Sequence, residues 1–219
     1  MKPAAVVHSF SKSLDWANTL KHEPAWVAFY RAIWPNMLQA NRLDADSPLQ
    51  RTGVDRIIYL RDGREFRIDE KIRNTDYTDV LLEIWSVCRW DEASRCTKPT
   101  PDGHKKPGWA RDTAKRCDFV AYAIPRRSLC YLLPFELTRL ALLRNGKTWS
   151  EQREWYPKVA YNEGYDTVSI AVPYDTLRAA INEEMRREFA PDGDLPAPVA
   201  LPDQTLRLQW DAPTEEEFE

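Results

Sequence analysis

The sequence predicts an α/β protein with a mixed central sheet, a β-hairpin at the centre of that sheet and helices on both of its faces. Two observations carry this prediction. Residues 23–41 place apolar side chains at helical spacing. A turn joins residues 56–61, which carry strand-favouring apolar side chains, to residues 65–73, which alternate apolar and charged side chains. Residues 118–189 supply further strand and helix patterns. Both element types therefore belong to one domain.

That domain is expected to span residues 23–190. An N-terminal arm at residues 1–22 and a Pro-rich linker with an acidic tail at residues 191–219 flank it. The chain has 219 residues, 30% of them charged, and a net charge of −3, which is typical of a globular protein and argues mildly against indiscriminate nucleic-acid binding. No apolar run is long enough to span a bilayer and no signal peptide is evident, so we expect a cytoplasmic protein that avoids membranes.

The elements follow in order along the chain. Pro24 fits the first turn of the first helix, and Pro35 predicts a kink or two successive helices before Asn41. A third strand at Asp79–Val87 is expected to run back beside the second strand of the hairpin. The remaining predictions are a long polar connection (88–117), strands at 118–125, 128–134 and 167–172, an irregular aromatic stretch (149–164), and helices at 135–144, stopped by Gly146, and at 176–189.

The hairpin places charged side chains on one face of its second strand. Asp62-Gly63 is a strong turn signal, and the alternation after it sets Asp69 beside Lys71. A two-residue turn would set Asp55 opposite Glu70, whereas a three-residue loop with Gly63 in the left-handed conformation sets Asp55 opposite Asp69. We predict the longer loop or an equivalent bulge, because only that register gathers the two aspartates and the lysine.

Two carboxylates and a lysine around one point have a recognisable chemistry. Mg²⁺ binds oxygen ligands and keeps several waters, so two carboxylates and a phosphate oxygen suffice to hold it. A neighbouring ammonium group orients or deprotonates a water and offsets charge in a transition state. The alternative is a solvated strand face on which Arg and Asp side chains pair weakly. Spacing alone leaves both interpretations open.

Asp55 followed one hairpin later by Asp69-Glu70-Lys71 resembles the PD-(D/E)XK nuclease superfamily, which has the restriction-endonuclease-like fold. The resemblance covers residues 23–181, and the wider chain is similar to uncharacterised phage- and plasmid-borne members. Val54 stands where the name-giving proline would be, at a position that the family varies.

The resemblance implies a metal-dependent nuclease that hydrolyses DNA phosphodiester bonds. It assigns Asp55 and Asp69 as ligands of Mg²⁺ or Mn²⁺, and it places Lys71 beside the attacking water. The backbone carbonyl of Glu70 is a further candidate for the metal shell. A homodimer, which would allow both strands to be cleaved, is left open. The alternative is a catalytically silent binding protein on a nuclease scaffold, such as a phage-borne modulator of host proteins or nucleic acid.

Other residues are candidates for accessory roles. Glu83 is a carboxylate inside an apolar run, so it either faces the site or pairs with an arginine, and Gln50 precedes Asp55 in a polar loop. The connection is rich in basic residues, which suit either contact with a phosphate backbone or a solvated loop. The candidates for nucleic-acid binding are Lys105, Lys106, Arg111, Lys115 and Arg116.

The four cysteines are expected to be reduced thiols. Cys88, Cys96 and Cys117 stand near His104, but their spacing matches no C-x₂₋₄-C pair of the kind that structural zinc sites use. The fourth, Cys130, falls inside a predicted strand. Zinc is the less favoured interpretation.

Overall fold

The structure is a computed structural model that describes residues 23–45, 47–74 and 76–189, together with the backbone of residues 206–207. The predicted arm at residues 1–22 lies outside the described residues, as does the predicted linker and tail apart from residues 206–207. The helices are α1 (Glu23–Ile33), α2 (Phe135–Glu151) and α3 (Tyr174–Phe189). The strands are β1 (Met37–Arg42), β2 (Arg56–Leu60), β3 (Glu65–Ile72), β4 (Asp79–Asp91), β5 (Cys96–Lys98), β6 (Lys106–Pro107), β7 (Phe119–Ile124), β8 (Leu129–Pro134), β9 (Lys158–Asn162), β10 (Tyr165–Pro173) and β11 (Leu206–Arg207). The α/β class is confirmed.

The chain divides into two compact units. The hairpin unit contains the described residues up to 78, residues 115–136 and the short strand β11. The second unit contains residues 79–114 and 137–189. Each unit has its own sheet, so the prediction of one central sheet is wrong.

The hairpin unit is built on a mixed sheet of six strands in the order β1-β2-β3-β7-β8-β11. Strands β3 and β7 are parallel, and all other neighbours are antiparallel. Helix α1 buries Trp26, Phe29 and Tyr30 against Ile58 and Ile68 of the hairpin. The apolar stripe at helical spacing and the apolar face of the hairpin thus form one core.

The second unit contains an antiparallel sheet in the order β5-β4-β10-β9, with β6 paired to β4. Its core includes Leu82 of β4 and Val168 and Ile170 of β10, which are almost completely buried. Helix α3 contacts β10 and β4. In the part of the chain that the structure describes, no helix is long and apolar enough to cross a membrane.

Four local predictions are corrected. The predicted helix to Asn41 ends at Ile33, because the residue before Pro35 is disfavoured in the helical conformation, and residues 37–41 pair with β2 instead. The predicted third strand, β4, does not pair with β3 as expected but with β10. The strand that pairs with β3 on the side away from β2 is β7. Helix α2 continues through Gly146 to Glu151, and residues 158–162 form β9. Tertiary packing outweighs the modest cost of a glycine inside a helix.

Candidate active site

The register of the β2–β3 hairpin decides which side chains meet. Tyr59 pairs with Glu65, and the amide of Leu60 donates a hydrogen bond of 2.9 Å to the carbonyl of Arg64. Gly63 has a φ of 86°, in the left-handed region that glycine adopts without steric cost. The loop therefore has three residues, 61–63, and the predicted longer loop is confirmed.

Beyond the last pair of this register, Arg56 with Ile68, the side chains of Asp55 and Asp69 meet. Asp55 directly precedes β2, and its amide donates a 2.8 Å hydrogen bond to the carbonyl of Ile68. Its Oδ2 accepts a 2.8 Å hydrogen bond from the amide of Glu70. The Asp55 carboxyl group lies within hydrogen-bonding reach of the Asp69 carboxyl group. The two acids therefore converge, as the longer loop predicted.

Two lysines clamp the carboxylate of Asp69, which is 1% exposed. Nζ of Lys71 lies 2.6 Å from Oδ1, and Nζ of Lys115 lies 2.6 Å from Oδ2. The side chain of Lys71 is 32% exposed and that of Lys115 is 10% exposed. The sequence predicted Lys71 at this position but not Lys115, which was a candidate either for contact with a phosphate backbone or for a solvated loop. The structure instead gives Lys115 an intramolecular ion pair.

The pKa values of the two acids shift in opposite directions. Burial raises the pKa of Asp55 to about 6; the ammonium of Lys71 opposes this shift and the carboxylate of Asp69 adds to it. Burial would also raise the pKa of Asp69, but the ammonium groups of Lys71 and Lys115 hold it below its usual value. One acid is thus held as a carboxylate, while its neighbour binds a proton as the pH falls to about 6.

The segment that positions Lys115 runs along the turn before Asp55. The amide of Arg116 donates a 3.0 Å hydrogen bond to the carbonyl of Thr52. The next residue, Gly53, has a φ of 77°, and a Cβ placed there would lie 2.3 Å from Nζ of Lys115. Gln50 is in the same 3₁₀ turn, where its carbonyl accepts the amide of Gly53 at 2.8 Å. Glycine at position 53 therefore leaves the space that the Lys115 ammonium occupies.

The opposite face of the hairpin holds a second, purely structural set of charges. Arg56 is completely buried and forms two hydrogen bonds, of 2.7 and 2.6 Å, to the carboxylate of Glu23 in α1. Its Nε donates to Glu70 at 2.6 Å, and the hydroxyl of Tyr30 donates to the same oxygen at 2.8 Å. The Glu70 side chain is thus engaged away from Asp69, and only its backbone carbonyl remains for the predicted metal role.

The other predicted residues do not join this cluster of contacts. Glu83 lies in β4, and three of the basic residues follow β4 in the connection: Lys105, Lys106 and Arg111. All four residues belong to the second unit. In that unit, Nζ of Lys105 lies 4.1 Å and Cζ of Arg111 4.6 Å from the ring centroid of Trp85. Arg116 is exposed next to Lys115. Of the five predicted nucleic-acid-binding residues, only Lys115 contacts the aspartate pair.

The donor set fits a hard divalent cation in its chemistry, since two convergent carboxylates supply oxygen ligands and waters and phosphate complete the shell. In the described ranges, however, no group of three or more His, Cys, Asp or Glu side chains is arranged to hold a metal ion. All four cysteines are free thiols, and Cys88, Cys117 and Cys130 are buried.

Comparisons of this chain with protein-family models, with curated proteins and with solved structures return no match.

Proposed function

We propose that the protein is a metal-dependent nuclease that hydrolyses DNA phosphodiester bonds, with Asp55, Asp69 and Lys71 as its catalytic group. The observation that carries the proposal is the contact between the two acids at the base of the hairpin with its three-residue loop, with Nζ of Lys71 at 2.6 Å from Asp69. The restriction-endonuclease-like fold and cytoplasmic location belong to the same proposal. The mixed sheet with the hairpin inside it supports the fold.

Mg²⁺ or Mn²⁺, when bound, would polarise the phosphodiester and lower the pKa of a bound water. Asp55 and Asp69 are the residues that would hold the cation, and the Glu70 backbone carbonyl is a further candidate. The side chain of Lys71 is 32% exposed, so its ammonium group would be accessible to orient a water and to offset charge at phosphate oxygens. Burial of Asp69 keeps bulk water from screening these charges.

The second candidate function is a catalytically silent binding protein on the same scaffold. One observation favours it: both oxygens of Asp69 are engaged by ammonium groups. An acid held in this way is also what a structural salt-bridge cluster requires. The two candidates differ in whether a divalent cation changes the protein's behaviour.

The test is incubation with linear, circular and single-stranded DNA, each with Mg²⁺, with Mn²⁺ or with EDTA. We expect cleavage only with a divalent metal, and a loss of at least about 100-fold in Asp55→Asn and Lys71→Met, because each removes a ligand or a proton-transfer group. Asp55→Asn keeps an oxygen that can accept the Glu70 amide, so the hairpin should survive, which circular dichroism checks. Glu65→Gln is the matched control, since Glu65 lies exposed on the same strand and pairs only with Arg67 at the surface among the described contacts. Metal-independent cleavage, or full activity in both site variants, would leave the silent scaffold as the better account.

A further inference from the structure

The charges at the aspartate pair balance without any added ion. Asp55 and Asp69 contribute two negative charges when both are ionised, and Lys71 and Lys115 contribute two positive ones. Both lysine contacts are 2.6 Å long, and Asp69 is almost completely buried, so the ammonium groups act at short range with little screening. The closed pair is therefore neutral.

A divalent cation would overturn this balance. With two charges added, the four side chains and the ion would carry a net charge of two positive, and an anion would have to enter to offset it. Asp69 has two oxygens, and Lys115 holds Oδ2 while Lys71 holds Oδ1. A cation that takes either oxygen at bonding distance would lie beside an ammonium group and repel it.

Lys115 has less access to solvent than Lys71. Its side chain is 10% exposed, against 32% for Lys71. Its main chain is tied through Arg116 to Thr52, and its ammonium group fills the space that Gly53 leaves open. After displacement it would stay close to the cation, where like charges repel strongly.

Resting on the proposed function, we infer that Lys115 competes with the divalent cation for Asp69, so that metal and an anionic phosphodiester bind cooperatively at this site. The anion removes the excess positive charge and gives the displaced ammonium group a new partner. Reciprocity requires that the metal strengthen phosphodiester binding by the same factor. The site would thus hold metal tightly only when a substrate backbone is present.

The experiment measures Mn²⁺ binding by electron paramagnetic resonance of free Mn²⁺, without any turnover. It is done alone, with a phosphorothioate oligodeoxynucleotide and with an uncharged methylphosphonate oligodeoxynucleotide. In the parent we expect the anionic oligonucleotide to tighten Mn²⁺ binding by about 10-fold, within the usual range of coupling between sites. The uncharged one should have no effect. Lys115→Met should bind Mn²⁺ more tightly by itself and lose most of the coupling.

Two controls separate the ammonium group from general charge and from backbone strain. Arg61→Met removes the same charge from an exposed position in the hairpin loop and should behave as the parent. Gly53→Ala keeps the lysine but pushes its Nζ from the place it occupies, so it should reproduce much of the Lys115→Met effect even if that variant folds poorly. Gly63→Ala imposes the same left-handed backbone strain with nothing within 4 Å of the new Cβ, and it should leave metal binding unchanged.

The outcomes distinguish the two proposals. Unchanged Mn²⁺ affinity and coupling in folded Lys115→Met and Gly53→Ala would overturn the inference, while metal-dependent cleavage by the parent would keep the proposed function. Cooperative Mn²⁺ binding without cleavage of any DNA would support the inference and overturn the function. Absence of Mn²⁺ binding to the parent under all conditions would overturn both.

Discussion

At the scale of single residues, Asp55 and Asp69 are alike in chemistry and face each other, yet they titrate differently. The difference comes from their surroundings: Lys115 and Lys71 hold the two oxygens of Asp69, whereas Oδ2 of Asp55 accepts the backbone amide of Glu70. Pairs of titratable groups whose environments separate their pKa values are typical of catalytic sites. The separation also makes the stability of the metal-free protein depend on pH.

The pH prediction concerns Asp55→Asn in EDTA. The folded pKa of Asp55, about 6, lies above the ordinary value of 3.8, so the folded state favours the protonated form. The stabilisation from Asp55 is present below pH 4 and is lost as the pH rises through 6, by at most about 3 kcal/mol. Asp69 shifts in the opposite direction, and its contribution changes only below its ordinary value.

Urea unfolding of parent and Asp55→Asn between pH 4.5 and 7 measures this effect. We expect the free energy of unfolding of the parent to fall relative to that of the variant as the pH rises. A difference between the two proteins that stays constant across this range would show that Asp55 is ionised throughout and that its pKa is not raised.

At the scale of secondary-structure elements, α1 and the hairpin are joined by a buried arginine. Arg56 contacts Glu23 of α1 and Glu70 of β3, while Tyr30 of α1 donates to Glu70. Burial raises the pKa of Tyr30 well above its usual value, and the Glu70 carboxylate adds to that shift, so the hydroxyl stays a donor. Glu70 and its neighbour Asp69 are therefore held from opposite faces of the same strand.

Breaking this connection should be costly. Arg56→Met leaves Glu70, whose side chain is 10% exposed, without its charged partner, and we expect a loss of about 3–5 kcal/mol in the free energy of unfolding. The control Arg67→Met breaks a half-exposed pair with Glu65 on the same hairpin and should cost less than about 1 kcal/mol. Equal losses in the two variants, measured by urea unfolding, would contradict a structural role for the buried arginine.

The hairpin could be predicted from sequence because its signals are local. The turn glycine and the alternation from Glu65 onward fix the strands, and the chemistry of Asp69 and Lys71 selected the register. The contact of Lys115 with Asp69 could not be predicted, because 46 positions separate the two residues and no local sequence pattern indicates that they meet. The same limit hid Arg56, whose neighbours on β2 are apolar and suggested an ordinary core strand.

At the scale of the whole molecule, the predicted basic surface is divided between the two units. Lys115 and Arg116 belong to the hairpin unit, while Lys105 and Arg111 lie over Trp85 in the second unit. Among the described residues, no carboxylate lies within ion-pair distance of Lys105 or Arg111. Both cations make cation–π contacts with the Trp85 ring. If the proposed function holds, their charges are candidates for phosphate contacts.

Replacing both cations should weaken DNA binding and flatten its salt dependence. For Lys105→Gln/Arg111→Gln we expect the slope of log K against log salt to fall by about one unit per lost phosphate contact. Fluorescence anisotropy with a labelled oligonucleotide in EDTA measures this. Lys147→Gln/Arg153→Gln removes the same charge from exposed positions of the same unit and serves as the control. If the slope of log K against log salt is identical in the two double variants, Lys105 and Arg111 do not contact phosphates and belong to a solvated surface.

The parallel pairing of β3 with β7 has a consequence for the order in which the protein matures on the ribosome. Lys71 is made two residues after Asp69, so the nascent hairpin already carries one counter-ion. The other arrives only after the chain from 73 to 114 has been synthesised, most of which belongs to the second unit. Closing so distant a contact is slow compared with forming a hairpin. The hairpin can therefore form early, while the contact of Lys115 with Asp69 is among the later contacts to form.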